Sequence, residues 1–271
     1  MSRRVPSNLA TPVGWRSYRH GVNASTTALP GFVIDAVAAV RSGDTVTLRR
    51  LLVEQPELAV ARLGGEFEGR TLLHVLTDWP GHRPNASETV AVLADAGADL
   101  DAPFVGAHAE APLHWAASCD DVGVVDALLD AGANVDATGG SSGDGSGTPV
   151  FDATVFGQWA AARRLVERGA TTGGWEEAAL GLVDRLAVRL DSGADPTSVT
   201  EWFWAACHGG QSAAAQLLAD AGSDLDWVSD WDGLTPLDAA QRSDGEGTPG
   251  AATVLAWLRE RGARSAQDVR R

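Results

Sequence analysis

The feature that most constrains this chain is a recurrence along its length. Segment ends repeat: LADAGADLDA at 93–102, LLDAGANVDA at 128–137, LVERGA at 165–170, LDSGAD at 190–195, LLADAGSDLD at 217–226 and LRERGA at 258–263. Each is an apolar pattern of helical spacing closed by Gly-Ala or Gly-Ser, where glycine supplies the left-handed residue that ends a helix. Segment starts repeat as well: TLLHVLTD from Thr71, APLHWAAS from Ala111, TPVFDATV from Thr148 and TPLDAAQ from Thr235. Starts and ends alternate in register. A repeat of this period describes a stack of small units, none of which buries its apolar stripe alone. Pro112, Pro149 and Pro236 fall in the first helical turn, where a missing N–H costs nothing. The alanine pairs that follow let two helices approach closely.

These starts and ends resemble the ankyrin repeat, whose signature is T-P-L-H-x-A-A at one end and a closing G-A-D at the other. The resemblance covers 31–263 in seven units, 31–62, 66–102, 107–137, 145–170, 175–195, 198–226 and 230–263. It implies an all-α fold, an ankyrin-repeat solenoid of helix-turn-helix units with short β-hairpin fingers. The first unit lacks the TPLH start and reads as a cap; the fifth is short and has lost its start. Residues 1–30, with Arg3, Arg4, Arg16 and Arg19, are expected to form a basic, flexible tail, residues 31–263 a single domain, and residues 264–271 a C-terminal tail. Two departures stand out, an insertion DWPGHRPNAS at 78–87 and a glycine-rich loop GGSSGDGSG at 139–147.

Composition removes whole chemistries. All 21 basic residues are arginine, which excludes the P-loop lysine, the kinase strand lysine and the pyridoxal Schiff base. The net charge of −15 opposes every phosphate contact, so no nucleic-acid partner is expected. No apolar stretch approaches a membrane span and the first 34 residues lack the apolar core of a signal peptide, so a cytoplasmic protein with no membrane partner is expected. The lysine-free, alanine- and arginine-rich usage fits a GC-rich bacterial genome. Cys119 and Cys207 are too few for a zinc site or a disulfide framework. The aromatic content is skewed, with 10 Trp against 6 Phe and 1 Tyr, and tryptophan is the commonest anchor at binding surfaces.

The resemblance implies that inner helices and hairpin tips line a concave face where partners bind. The variable x of TPLHxAA and the residue four later share one helix face, giving Val75/Trp79, Trp115/Cys119, Asp152/Phe156, Trp204/His208 and Ala239/Ser243. Hairpin positions add His108, Glu110, Asp230 and Trp231. An acidic, tryptophan-rich face built from Trp79, Trp115, Cys119, Phe156, Trp204, His208, Asp152, Trp231 and His108 would meet a protein or a small hydrophobic molecule. The competing reading makes Trp115 and Trp204 core residues, since x is often a partly buried leucine, and Trp159 a packing residue. His74 and His114 occupy the motif histidine, whose ordinary role is a hydrogen bond between backbone turns. The motif explains neither Asp152 nor His208. Two repeats separate them, roughly 20 Å along the stack at ordinary helix spacing, too far for a direct dyad.

Two functional readings follow. The first is a binding protein without catalysis, monomeric and free of cofactor and metal. The second is a cofactor-independent enzyme on the same scaffold, with Glu110, Asp152 or His208 as general acid or base in an isomerisation, cyclisation or hydration. Other motif matches fail. GGSSG at 139–143 has no strand before Ser141, and DWDG at 230–233 lacks the flanking ligands of a calcium loop. An enclosed pocket would favour the enzyme and an open surface the scaffold, with the insertion and the glycine-rich loop as the segments able to close over it.

Overall fold

In a computed structural model of the chain, the structure describes residues 29–67, 69–106, 108–142 and 145–271. The expected N-terminal tail lies outside these residues apart from Leu29 and Pro30. The helices fall into seven consecutive pairs: α1 (Gly31–Ser42) with α2 (Thr45–Glu54), α3 (Leu72–Thr77) with α4 (Ala86–Asp95), α5 (Pro112–Ser118) with α6 (Val122–Asp130), α7 (Pro149–Val155) with α8 (Trp159–Glu167), α9 (Gly174–Leu180) with α10 (Val183–Asp191), α11 (Pro196–His208) with α12 (Ser212–Asp220), and α13 (Pro236–Gly245) with α14 (Ala251–Glu260). A final turn, α15, spans Ala266–Val269.

The fold is all-α, as the repeat predicts, but the fingers differ from expectation. No strand forms among the described residues; an isolated antiparallel bridge joins Gly140 and Gly147. The connections close on themselves too soon for a ladder to begin. In the last of them the N–H of Gly233 reaches the carbonyl of Ser229 at 3.2 Å and the N–H of Ser229 reaches that of Leu234 at 3.0 Å.

Local chemistry sets the helix limits. The hydroxyls of Thr71, Thr148 and Thr235 accept from the N–H three residues on, capping α3, α7 and α13. At the far end of each unit the recurring glycine does what its position demands. Gly132 has φ +103° and Gly222 φ +96°. In the first case the N–H of Ala133 turns back to the carbonyl of Leu128 at 2.9 Å, satisfying a helix-end acceptor.

The chain divides into two compact units with the boundary between Ala170 and Thr171. In the N-terminal unit α1, α3, α5 and α7 pack in one row and α2, α4, α6 and α8 in a second. Leu48, Leu72, Leu76, Leu93, Leu113, Leu128, Phe151 and Leu165 are fully enclosed between the rows. In the C-terminal unit α9, α11 and α13 form one row and α10, α12 and α14 the other, around Leu186, Phe203, Leu218, Val254 and Leu258. The paired alanines are buried in both units. Their purpose is plainest at Gly209, where an added Cβ would stand 2.0 Å from the carbonyl oxygen of Ala179. Residues 264–271 are tied to their unit: the N–H of Ala266 donates to Asp238 at 2.7 Å, and Arg270 donates to the carbonyl of Gly233 at 3.0 Å.

Candidate functional site

In the N-terminal unit, the site begins with the motif histidines. The N–H of Ala111 donates to His114 Nδ1 at 3.0 Å, which makes Nδ1 an acceptor and leaves Nε2–H to donate to the carbonyl of Gly147 at 3.2 Å. His74 repeats this between Thr71 and the carbonyl of Glu110, at 3.2 and 3.0 Å. Burial pushes the His74 imidazole down to about 4, so it is neutral at pH 7. Both histidines therefore bridge backbone turns. With both ring nitrogens committed, His114 has none left for general-base work.

Around this frame sits an aromatic and acidic cluster. Trp115 packs against His74 at 5.0 Å and against Phe104 at 5.4 Å, and the Arg70 guanidinium lies over both Trp115 and Phe104. The indole N–H of Trp115 donates to Glu110 Oε2 at 2.6 Å. Asp152, on α7, is fully buried. Its Oδ1 accepts from both the N–H and the hydroxyl of Ser141, at 3.0 and 2.7 Å. The glycine-rich loop thus closes over Asp152, and a Cβ on Gly140 would meet both carboxylate oxygens within 2.8 Å. Burial, reinforced by the charge of Asp152, pushes the Glu110 carboxyl up to about 8, and burial also raises that of Asp152.

The other segment able to close, 78–87, packs elsewhere. The N–H of His82 donates to Asp121 Oδ2 at 2.6 Å, its Nε2 lies 3.0 Å from the carbonyl of Cys119, and Asn85 donates to the carbonyl of Gly43 at 2.9 Å. It borders an open depression of about 550 Å³ whose walls include His82, Arg83, Glu88 and Asp121. Trp79, at the insertion's start, is 50% exposed.

In the C-terminal unit four indoles converge. Trp175 stacks on Trp204 at 5.7 Å, and Trp231 meets Trp175, Trp204 and Trp227 at 5.7, 5.3 and 5.2 Å. Trp204 donates to the carbonyl of Leu234 at 3.3 Å, and Arg242 lies over its ring while pairing with Asp232 at 3.1 Å. His208 Nδ1 lies 3.1 Å from the hydroxyl of Ser243. On α9, Glu177 takes a two-pronged ion pair from Arg189, 2.8 Å on each arm.

The expected ligand-facing residues therefore fare differently. Trp115, Cys119, Asp152, Trp204, His208 and Trp231 are all buried, while Phe156, His108 and Glu110 are partly exposed and Trp79 half-exposed. For Trp115 and Trp204 this is the packing that the core reading describes. Glu110 and Asp152 feel one another's charge, whereas His208 belongs to the other unit. The thiols are closed off: burial pushes Cys119 up to about 12 and raises Cys207 as well. Sequence reasoning missed Arg70, Ser141, Trp175, Glu177, Arg189 and Arg242. For Glu177 a signal existed, since it holds the x position of the fifth unit, but the lost start motif hid the register.

Stacked helix pairs with capped first helices and glycine-closed ends define an all-α repeat protein. Residues 110–140 match the family model of the ankyrin repeat, and the chain is an ankyrin-repeat protein, a class of protein-interaction scaffold. No curated protein sequence matches it. No helix among the described residues is long and apolar enough to cross a membrane.

Proposed function

We propose that the chain is a non-catalytic, monomeric, cytoplasmic binding protein that engages a protein partner in its N-terminal unit through the insertion 78–87, with Trp79 as the anchor. The observation that carries this reading is the contrast in exposure. Trp79 is 50% exposed, while Trp115, Trp204 and Trp231, the other indoles expected to face a ligand, are 6% exposed or less. An exposed indole at the start of an insertion that walls an open polar depression has the anatomy of a hot spot within a polar rim. The charge of −15 favours a basic or neutral partner and speeds its encounter. Weighing against the cofactor-free catalytic alternative is the burial of Asp152 and His208, two of its three candidate acid–base residues.

The test is affinity capture by the immobilised wild-type chain and by Trp79→Ala, matched for circular dichroism and melting temperature. An anchor of this kind contributes about 2 kcal/mol or more. A directly bound protein should therefore be retained at least ten-fold less by the variant. Equal retention by the two chains rules out Trp79 as the anchor.

A further inference from the structure

Two acids in the C-terminal unit come with a cation. Glu177, 3% exposed, has Arg189, and Asp232 has Arg242. Glu110 and Asp152 in the N-terminal unit do not: the donors on their carboxylates among the described residues are the neutral Trp115 indole and Ser141. The charged or titratable groups facing them are each other, His108 and His114, and both ring nitrogens of His114 are bonded to backbone groups. Each acid also keeps an oxygen in reserve. Both bonds to Asp152 fall on Oδ1, and Oδ2, fully buried, has no hydrogen-bond partner among the described residues. The bond from Trp115 occupies Glu110 Oε2 and leaves Oε1.

A buried carboxylate oxygen with no donor is costly to maintain, and two acids sharing a site resist joint ionisation. One positive group would relieve both conditions. The neighbouring ring faces of Trp115 and Phe104 already hold a guanidinium, that of Arg70, at 5.4 and 5.7 Å. The cover over Asp152 is the segment Gly139–Ser142, anchored to the acid through Ser141 and bare of side chains at its two glycines. We propose that Glu110 and Asp152 form a binding site for one organic cation, a primary ammonium or a guanidinium, supplied either by a basic side chain of a partner or by a free amine. The chain has no lysine, so no lysine of its own can fill the site.

The indole N–H of Trp115 reports on Glu110 directly. In a titration of the full chain followed by the 15N–1H signal of that indole, assigned with Trp115→Phe, the probes are n-butylammonium, methylguanidinium and N-acetyl-lysine methylamide, with uncharged N-butylacetamide as control. A saturable shift is expected with a midpoint of about 1 mM, at least ten-fold weaker in Asp152→Asn and in Glu110→Gln. It should tighten as pH rises from about 6.5 to 8.5, because the cation displaces a proton that Glu110 holds up to about 8. Response to both butylammonium and the capped lysine assigns the cation to a partner's side chain; response to butylammonium alone assigns it to a free amine. The proposal is overturned by the absence of a saturable shift up to about 50 mM, more than ten-fold above the expected midpoint. It is equally overturned if the two variants keep the midpoint, or if the uncharged control shifts the signal as well. Because none of these readings uses Trp79, failure here is separable from failure of the proposed partner surface.

Discussion

Where the fourth motif position is polar rather than Phe151 or Phe203, it carries histidine in the N-terminal unit and a carboxylate in the C-terminal unit, and the exchange follows a rule. On the near side the job is constant. The turn's own N–H is accepted by His74, His114, Glu176 and Asp238, at 3.2, 3.0, 2.7 and 3.2 Å. On the far side the next segment presents a carbonyl to His74 and His114, from Glu110 and Gly147, but an N–H to Asp238, from Ala266. A neutral imidazole can accept on one nitrogen and donate on the other, whereas a carboxylate can only accept. The polarity of the backbone group one segment away thus selects the residue. His114→Asp is the severest trial of this rule. It would point a carboxylate at the carbonyl of Gly147 and set it, buried, near Asp152. The expected loss is about 3–5 kcal/mol, the range for an uncompensated buried charge, measured by urea unfolding. A loss below about 1 kcal/mol, no more than an ordinary hydrogen bond, would mean the far-side polarity selects nothing.

Glu110, bonded to an indole, also differs from the ion-paired Glu177, and pH should expose that difference. Glu110 is raised to about 8 from an ordinary value near 4.5. The folded state therefore holds a proton that the unfolded state has released, and stability falls as pH rises through that interval. His74, lowered to about 4 from 6.5, acts oppositely: the unfolded state binds the extra proton, and stability rises from pH 4 to 6.5. The two offset each other below pH 6.5. Between pH 6.5 and 8 the raised Glu110 carboxyl remains, so stability should decline by at most about 1.4 kcal/mol per pH unit. Glu110→Gln should flatten that limb when unfolding free energy is measured at several pH values. A limb that persists unchanged in the variant would place its cause elsewhere.

How far the sequence discloses all this depends on the length over which each cause acts. Helix starts and ends were legible because the caps at Thr71, Thr148 and Thr235 and the glycines at 132 and 222 act within four or five residues. The bridging role of His74 and His114 was legible from the motif. For Trp115 and Trp204 the motif left face and core as competing readings, and the burial of Asp152 was not legible, since helical spacing places a side chain on a face without saying what covers it. Asp152 is covered by a loop 11 residues earlier, through Ser141, a residue whose local pattern signals only a flexible turn. The arginine pairings were invisible for the same reason, as Glu177 finds its partner on the second helix of its own pair, 12 residues on. The fingers misled in the other direction: the motif promised hairpins, and short local bonds such as Ser229 to Leu234 closed the turns first.

Asp238 offers the mildest and most selective trial of the far-side rule. Its Oδ2 accepts three times, from the N–H and hydroxyl of Thr235 and from the N–H of Ala266, at 3.2, 3.0 and 2.7 Å. An asparagine can present a carbonyl oxygen at the same point, so Asp238→Asn should cost well under 1 kcal/mol, the loss of charge assistance alone. Asp238→Ala removes the acceptor and strands the N–H groups, at a cost of about 1–2 kcal/mol. The location of that loss matters more than its size. If Asp238 works as the histidines do, by joining its own turn to the next segment, the alanine variant should speed hydrogen exchange at Ala266 and at the α15 amides that follow it. Amides in α9 and α10 should exchange as before. Uniform acceleration across the C-terminal unit would reduce Asp238 to a helix cap, and the bridge would then be a property of the histidine-bearing turns alone.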